Sequence, residues 1–152
     1  MKTQAQLLVV VQFILFVLLA GELFLLPAGQ VMWARWLGMV LAIGGVGIIG
    51  LAVTTHFQVN HGLVNVSPEP NASNQLVEVG LYKYIRHPIY SGVILAAFGA
   101  ALAHGHVAGL VIVLLILAFF SYKSSFEERW LSQVYPTYGA YRTRAGRFLP
   151  KL

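Results

Sequence analysis

Four apolar runs, 5–26, 33–53, 89–103 and 107–122, decide what this chain can become. Gln12 and Glu22 interrupt the first, Arg35 the second, and no charged residue the last two. At 1.5 Å per helical residue the first two reach roughly the 30 Å of a bilayer's hydrocarbon core. The last two are shorter, roughly 22 to 24 Å as ideal helix. Joined by His104-Gly105-His106, they predict a tight hairpin reaching most or all of the way across. A chain that is 58% hydrophobic and only 10% charged is too apolar for a soluble domain of its 152 residues. The fold expected is all-α and multi-pass, with about four transmembrane helices.

The charges say how such helices are oriented. Nine of the ten Lys and Arg residues share one side of a four-span arrangement, and only Arg35 falls on the other. By the excess of positive charge on the inner face, both termini and the segment 54–88 are cytosolic. The net charge of +5 flanks apolar helices, so it is read as a topology signal and a contact to anionic lipid rather than to nucleic acid. No cysteine is present, which excludes disulfides and thiolate chemistry.

One membrane-embedded domain over 1–152 is expected. Residues 1–53 form two spanning helices, the first kept in the mature protein because its apolar run is too long for a cleaved signal. Residues 54–88 form a cytosolic loop broken by Ser67-Pro68-Glu69-Pro70, and 89–122 the hairpin. Residues 123–152 are an amphipathic cytosolic tail that completes a pocket.

The second run carries a decoy. Gly45-Val46-Gly47-Ile48-Ile49-Gly50 matches the dinucleotide pattern G-x-G-x-x-G, but it lies inside an apolar span with no strand before it. Helix packing is the better reading, as it is for Ala34, Gly38 and Ala42, and for Gly92, Ala96 and Ala100.

The chemistry concentrates at 80–92. Pro88 disfavours helix at His87 and suits the first turn of a new one, leaving Arg86 and His87 extended at a helix start. With Tyr82, Tyr84 and Tyr90 they make a cationic, aromatic cluster suited to an anion. The alternative is an ordinary basic and aromatic membrane interface. Glu127 and Glu128 follow a spanning helix on the same face. There they either pair locally, Glu127 with Lys123, or recognise a cation. The five histidines divide between the two faces, so no metal site is expected. His104 and His106 are read as solvated turn residues, His56 and His61 as polar caps on the second helix, and Gln12 as an interhelical hydrogen bond.

Arg86-His87-Pro88-Ile89-Tyr90-Ser91-Gly92, an apolar hairpin, Glu127-Glu128-Arg129-Trp130-Leu131, Tyr138-Gly139-Ala140-Tyr141 and a closing Arg147-Phe148-Leu149-Pro150 together resemble one family. It is that of the isoprenylcysteine carboxyl methyltransferases and the related phospholipid N-methyltransferases. The resemblance spans residues 67–150 and reaches the first two helices only as apolar spans. It implies an integral-membrane enzyme that uses S-adenosylmethionine, leaving S-adenosylhomocysteine, without a Rossmann domain. The cofactor contacts it implies are Asn74, Gln75, Leu76, Val77, Tyr82, His87, Pro88, Ile89, Tyr90 and Glu127. Arg86, His87, Lys123 and Glu128 are the candidate catalytic groups. Lys123 stands where the isoprenylcysteine enzymes carry an Arg near the substrate carboxylate, which opens the substrate class. Lys keeps the charge but not the two-pronged fork. A prenylcysteine carboxylate and a phospholipid amine are both left as acceptors, and membrane lipid is the expected surrounding. A non-catalytic membrane protein of the same fold is the competing class.

Overall fold

The computed structural model describes residues 2–29, 31–61 and 75–151. It is all-helical: α1 (Lys2–Leu25), α2 (Met32–Asn60), a 3₁₀ turn (Gly80–Lys83), α3 (Pro88–His104), α4 (Val107–Val134) and α5 (Tyr138–Arg144). Three helices, α1, α2 and α4, are long and apolar enough to cross a membrane, and α3 is a shorter apolar helix. Their outer faces display large apolar side chains, such as Val17, Ile43 and Leu114 at 69%, 70% and 63% exposure. So much exposed apolar surface is incompatible with water and natural in lipid.

Two helices run further than their apolar segments. Between Thr54 and Asn60, expected as loop, there is no proline or glycine, and α2 continues through it. The hydroxyls of Thr54 and Thr55 donate to the carbonyls of Gly50 and Leu51, and His61 ends the helix at φ 49°. In the same way α4 carries on past Tyr122 into the amphipathic segment as far as Val134.

Antiparallel packing of α2 on α3 is the closest contact in the fold. A Cβ on Gly38 would lie 2.4 Å from the Ala103 nitrogen, one on Gly45 2.4 Å from that of Ala96, and one on Gly99 2.3 Å from that of Ala42. No side chain fits between these backbones, which is how small residues associate helices in lipid. The dinucleotide-like pattern is thereby explained in part: Gly45 sits in the seam, whereas a Cβ on Gly47 or Gly50 meets nothing. On the other side α1 lies along α4. Leu15, Leu19, Ala97, Ala101, Val113, Ile116 and Phe120 form the core between α1, α3 and α4.

The α1–α2 and α3–α4 turns meet at one end of the bundle. There the Gly29 amide donates to the His104 carbonyl at 2.6 Å, and a His106 ring nitrogen bonds the Pro27 carbonyl. His104 and His106 are therefore not the solvated turn residues expected. The His104 side chain is 9% exposed, and its Nε2 lies 3.7 Å from Glu22 Oε1. The reason is geometric, because the second turn is closed by the first rather than by water.

Candidate functional site

At the opposite end the chain enters α3 through a chain of local constraints. Gly80 takes φ 59°, a left-handed value that L side chains resist, and starts the 3₁₀ turn. Ile85 pairs in parallel with Gly146. Arg86 N donates to Gly146 O at 2.8 Å, and His87 N to Arg147 O at 3.1 Å. His87 then stands as N-cap at φ −123° and ψ 60°, with Pro88 opening the helix. The segment after α5 thus doubles back and holds Arg86 and His87 out of the helical conformation that Pro88 disfavours at His87. Gly92 follows because α2 passes so close: a Cβ there would lie 2.7 Å from Gly45 O.

The two consecutive glutamates of α4 have different environments. Glu128 is 4% exposed and surrounded by cationic side chains. Arg86 Nε lies at 3.0 Å, His87 Nε2 at 3.2 Å, Arg147 Nη2 at 3.5 Å and Arg142 Nε at 3.7 Å. Arg86 also donates to the backbone carbonyls of Arg142 and Ala145. This knot ties the start of α3, the end of α4 and the returning tail together. Glu127 has a more open side chain, at 24% exposure. It accepts the Tyr90 hydroxyl at 3.0 Å, and His87 Nδ1 stands 3.6 Å away.

His87 therefore has a carboxylate oxygen at each ring nitrogen. The two lie on opposite edges of one ring, and among the described residues no group of three His, Asp or Glu side chains could hold a metal ion. The ring stacks on Tyr90 at 5.4 Å between centroids and 2° between planes. Tyr90 in turn meets Phe120 at 4.5 Å. Beneath them Lys123, 1% exposed, donates to Gln12 Oε1 of α1 at 2.5 Å, with its ammonium 5.5 Å from the Tyr90 ring centre.

The remaining expected residues lie alongside. Val77 and Tyr82 are buried together with Ala52, and Ile89 packs on them at the start of α3. Leu76 packs on the Tyr138 and Tyr141 cluster, and the Gln75 amide donates to Asn60 Oδ1 at 2.7 Å. Asn74 lies outside the described residues. The Tyr141 hydroxyl donates to Tyr82 O at 2.6 Å, tying α5 to this side. Burial pushes the Tyr82 phenol well up, with the charge of Glu127 and then Tyr141 adding to it, so near neutral pH this side chain is a hydrogen-bond donor rather than a base.

The structure thus brings Arg86, His87, Tyr90, Lys123, Glu127 and Glu128 into one connected set, with Tyr82, Val77 and Ile89 adjoining. Sequence reasoning assigned Arg86 to a ligand, whereas its guanidinium is bound to Glu128 and two carbonyls. Arg142 and Arg147 were not singled out for Glu128. The basic character of the tail was their one signal.

Residues 33–138 match the family model described as phospholipid methyltransferase. Over 87 residues the chain is 32% identical to the protein-S-isoprenylcysteine O-methyltransferase of Schizosaccharomyces pombe. The match covers 56% of this chain and 37% of that protein. No solved structure matches.

Proposed function

The chain belongs to the phospholipid methyltransferase family of membrane methyltransferases, and from that premise we propose that it methylates a lipophilic acceptor, a prenylcysteine-type carboxylate ahead of a phospholipid amine. One observation carries the reading. Glu127, an open carboxylate held by Tyr90, stands within a turn of an α3 start that has no side-chain cap. A ligand bearing both a cation and a carboxylate finds a counter-group for each: the Glu127 carboxylate for one, the free N–H groups and dipole of the helix start for the other. The aromatic faces of Tyr90 and Tyr82 suit a sulfonium or an adenine. These residues fit S-adenosylmethionine, the cofactor of the family, which when bound supplies a methyl group on a sulfonium.

The residues here then bind and orient more than they move protons. Methyl transfer to a carboxylate oxygen would be an in-line displacement for which none of these residues need take a proton. Alignment and exclusion of water are what such a displacement needs from its site. An ammonium acceptor would first have to lose a proton to a base. His87 has carboxylates at both nitrogens, Glu128 is enclosed by guanidinium groups, and the Tyr82 phenol is pushed up. An acceptor that arrives as an anion needs none of them to take a proton. The distribution of Lys and Arg supports a cytosolic position for this end of the bundle.

Calorimetry with S-adenosylhomocysteine tests the reading. Wild type should bind saturably, and Glu127→Gln should weaken binding about tenfold, the equivalent of roughly 1.4 kcal/mol, with the fold intact. Absence of saturable binding to folded wild-type protein would reject it. A labelled-methyl assay offering prenylcysteine and ethanolamine lipids side by side then separates the two acceptors.

A further inference from the structure

Glu128 meets more positive charge than one carboxylate can cancel. Guanidinium nitrogens of Arg86, Arg142 and Arg147 stand 3.0, 3.7 and 3.5 Å from it. Arg86 is committed inward, with its side chain 8% exposed and its nitrogens donating to Glu128 and to the carbonyls of Arg142 and Ala145. Arg142 and Arg147 are different. Both approach the same oxygen, Glu128 Oε2, at distances longer than an ordinary hydrogen bond, and their side chains are 60% and 33% exposed. A guanidinium carries five N–H donors in a planar fork, so each keeps donors that Glu128 does not use.

No other carboxylate among the described residues takes up this charge. Glu127 bonds Tyr90 and stands beside His87, and Glu78 is held by Arg144. Two guanidinium groups that converge on one oxygen also lie close to each other, and they repel unless enough negative charge sits among them. Their forks match the oxygens of a phosphate two at a time.

The position in the molecule says which phosphate is at hand. Helix α4 rises roughly 30 Å from Val107 to Glu128, about the thickness of the hydrocarbon core, so the junction lies at headgroup level. Beyond Arg147, Phe148 packs on the core while Leu149 is 77% exposed. Lys151, also exposed, bonds back to the Thr143 carbonyl at 2.6 Å. An exposed leucine between cations is suited to rest on a lipid surface.

We propose that Arg142 and Arg147 form a site for the phosphate of an anionic phospholipid, which balances the charge of the Glu128 junction from the membrane side. The lipid is held there and not methylated, so the site does not depend on which acceptor the protein modifies.

The test titrates the full chain, in a neutral detergent, with dihexanoyl phosphatidylglycerol, dihexanoyl phosphatidylcholine and inorganic phosphate by calorimetry. Wild type should bind phosphatidylglycerol saturably and the other two at least about tenfold more weakly. Phosphatidylcholine brings an ammonium toward the guanidinium groups, and inorganic phosphate has no chain to lie beside Leu149. Arg142→Gln and Arg147→Gln should each weaken phosphatidylglycerol binding about fivefold. Arg129→Gln removes the same charge from an exposed residue whose Nε donates to the Ser125 carbonyl, and it should bind as wild type does. If Arg147→Gln does not fold, Arg142→Gln, changed at the more exposed side chain, decides. Lack of saturable binding, wild-type affinity in Arg142→Gln, or an equal loss in Arg129→Gln would overturn the site, the last by showing a diffuse attraction to a basic face. Inorganic phosphate binding as tightly as the lipid would overturn the lipid assignment.

Discussion

Helix α3 begins and ends on a histidine facing a buried glutamate, and the two ends behave differently. At its start His87 Nε2 lies 3.2 Å from Glu128, and at its last residue His104 Nε2 lies 3.7 Å from Glu22. Three guanidinium groups close on Glu128 as well. Glu22 has Gly109 against it, and among the described residues its carboxylate oxygens and His104 Nε2 make no hydrogen bond. The same two residue types thus form a multiply bonded junction at one end and a bare packed contact at the other. Burial alone does not make a polar pair matter; the number of donors converging on it does.

Removing the carboxylate at the junction should have the largest effect. Glu128→Ala leaves Arg86, whose side chain is 8% exposed, without its carboxylate. A destabilisation of about 3–5 kcal/mol is expected, with loss of S-adenosylhomocysteine binding, read by thermal melting of the purified protein. A smaller effect is expected beside it. Tyr90→Phe keeps the stack on His87 and deletes the hydroxyl bonded to Glu127, so S-adenosylhomocysteine affinity should fall about three- to tenfold with little change in melting temperature. At the far end the effect should be smallest. Glu22→Gln keeps the volume against Gly109 and replaces a carboxyl group that makes no hydrogen bond, so stability should change by less than about 1 kcal/mol and cofactor binding not at all. A loss at Glu22 comparable to that at Glu128 would break the contrast between the two ends.

Much of this was legible in the sequence because membranes simplify the code. Apolar runs gave the helices, Pro88 gave the start of α3, and small residues such as Gly38, Ala42, Gly45, Gly92 and Ala96 marked the α2–α3 seam, which also takes in Gly99 and Ala103. The expected interhelical role of Gln12 holds as well, with Lys123 as its partner. Two things had no signal. Arg86 and Glu128 are 42 positions apart, and their pairing depends on a tail that returns through the Ile85–Gly146 bridge, a contact with no periodicity to announce it. The burial of His104 was hidden for a similar reason: it needs the other turn, whose Gly29 lies against Gly105, and neither turn alone encloses anything. Adjacent glutamates with different environments are likewise a property of three-dimensional crowding, since Glu127 and Glu128 are chemically the same residue.

The bridge between Ile85 and Gly146 also sets an order of events. Residues 142–147, which supply the carbonyls and guanidinium groups around Arg86 and Glu128, are synthesised after all four apolar helices. The bilayer can accept every spanning segment while the binding end of the bundle is still unmade. Insertion of the helices and completion of the site thus draw on different parts of the chain: the apolar segments carry what the bilayer reads, and the junction of Arg86 with Glu128 waits for the tail that closes around it.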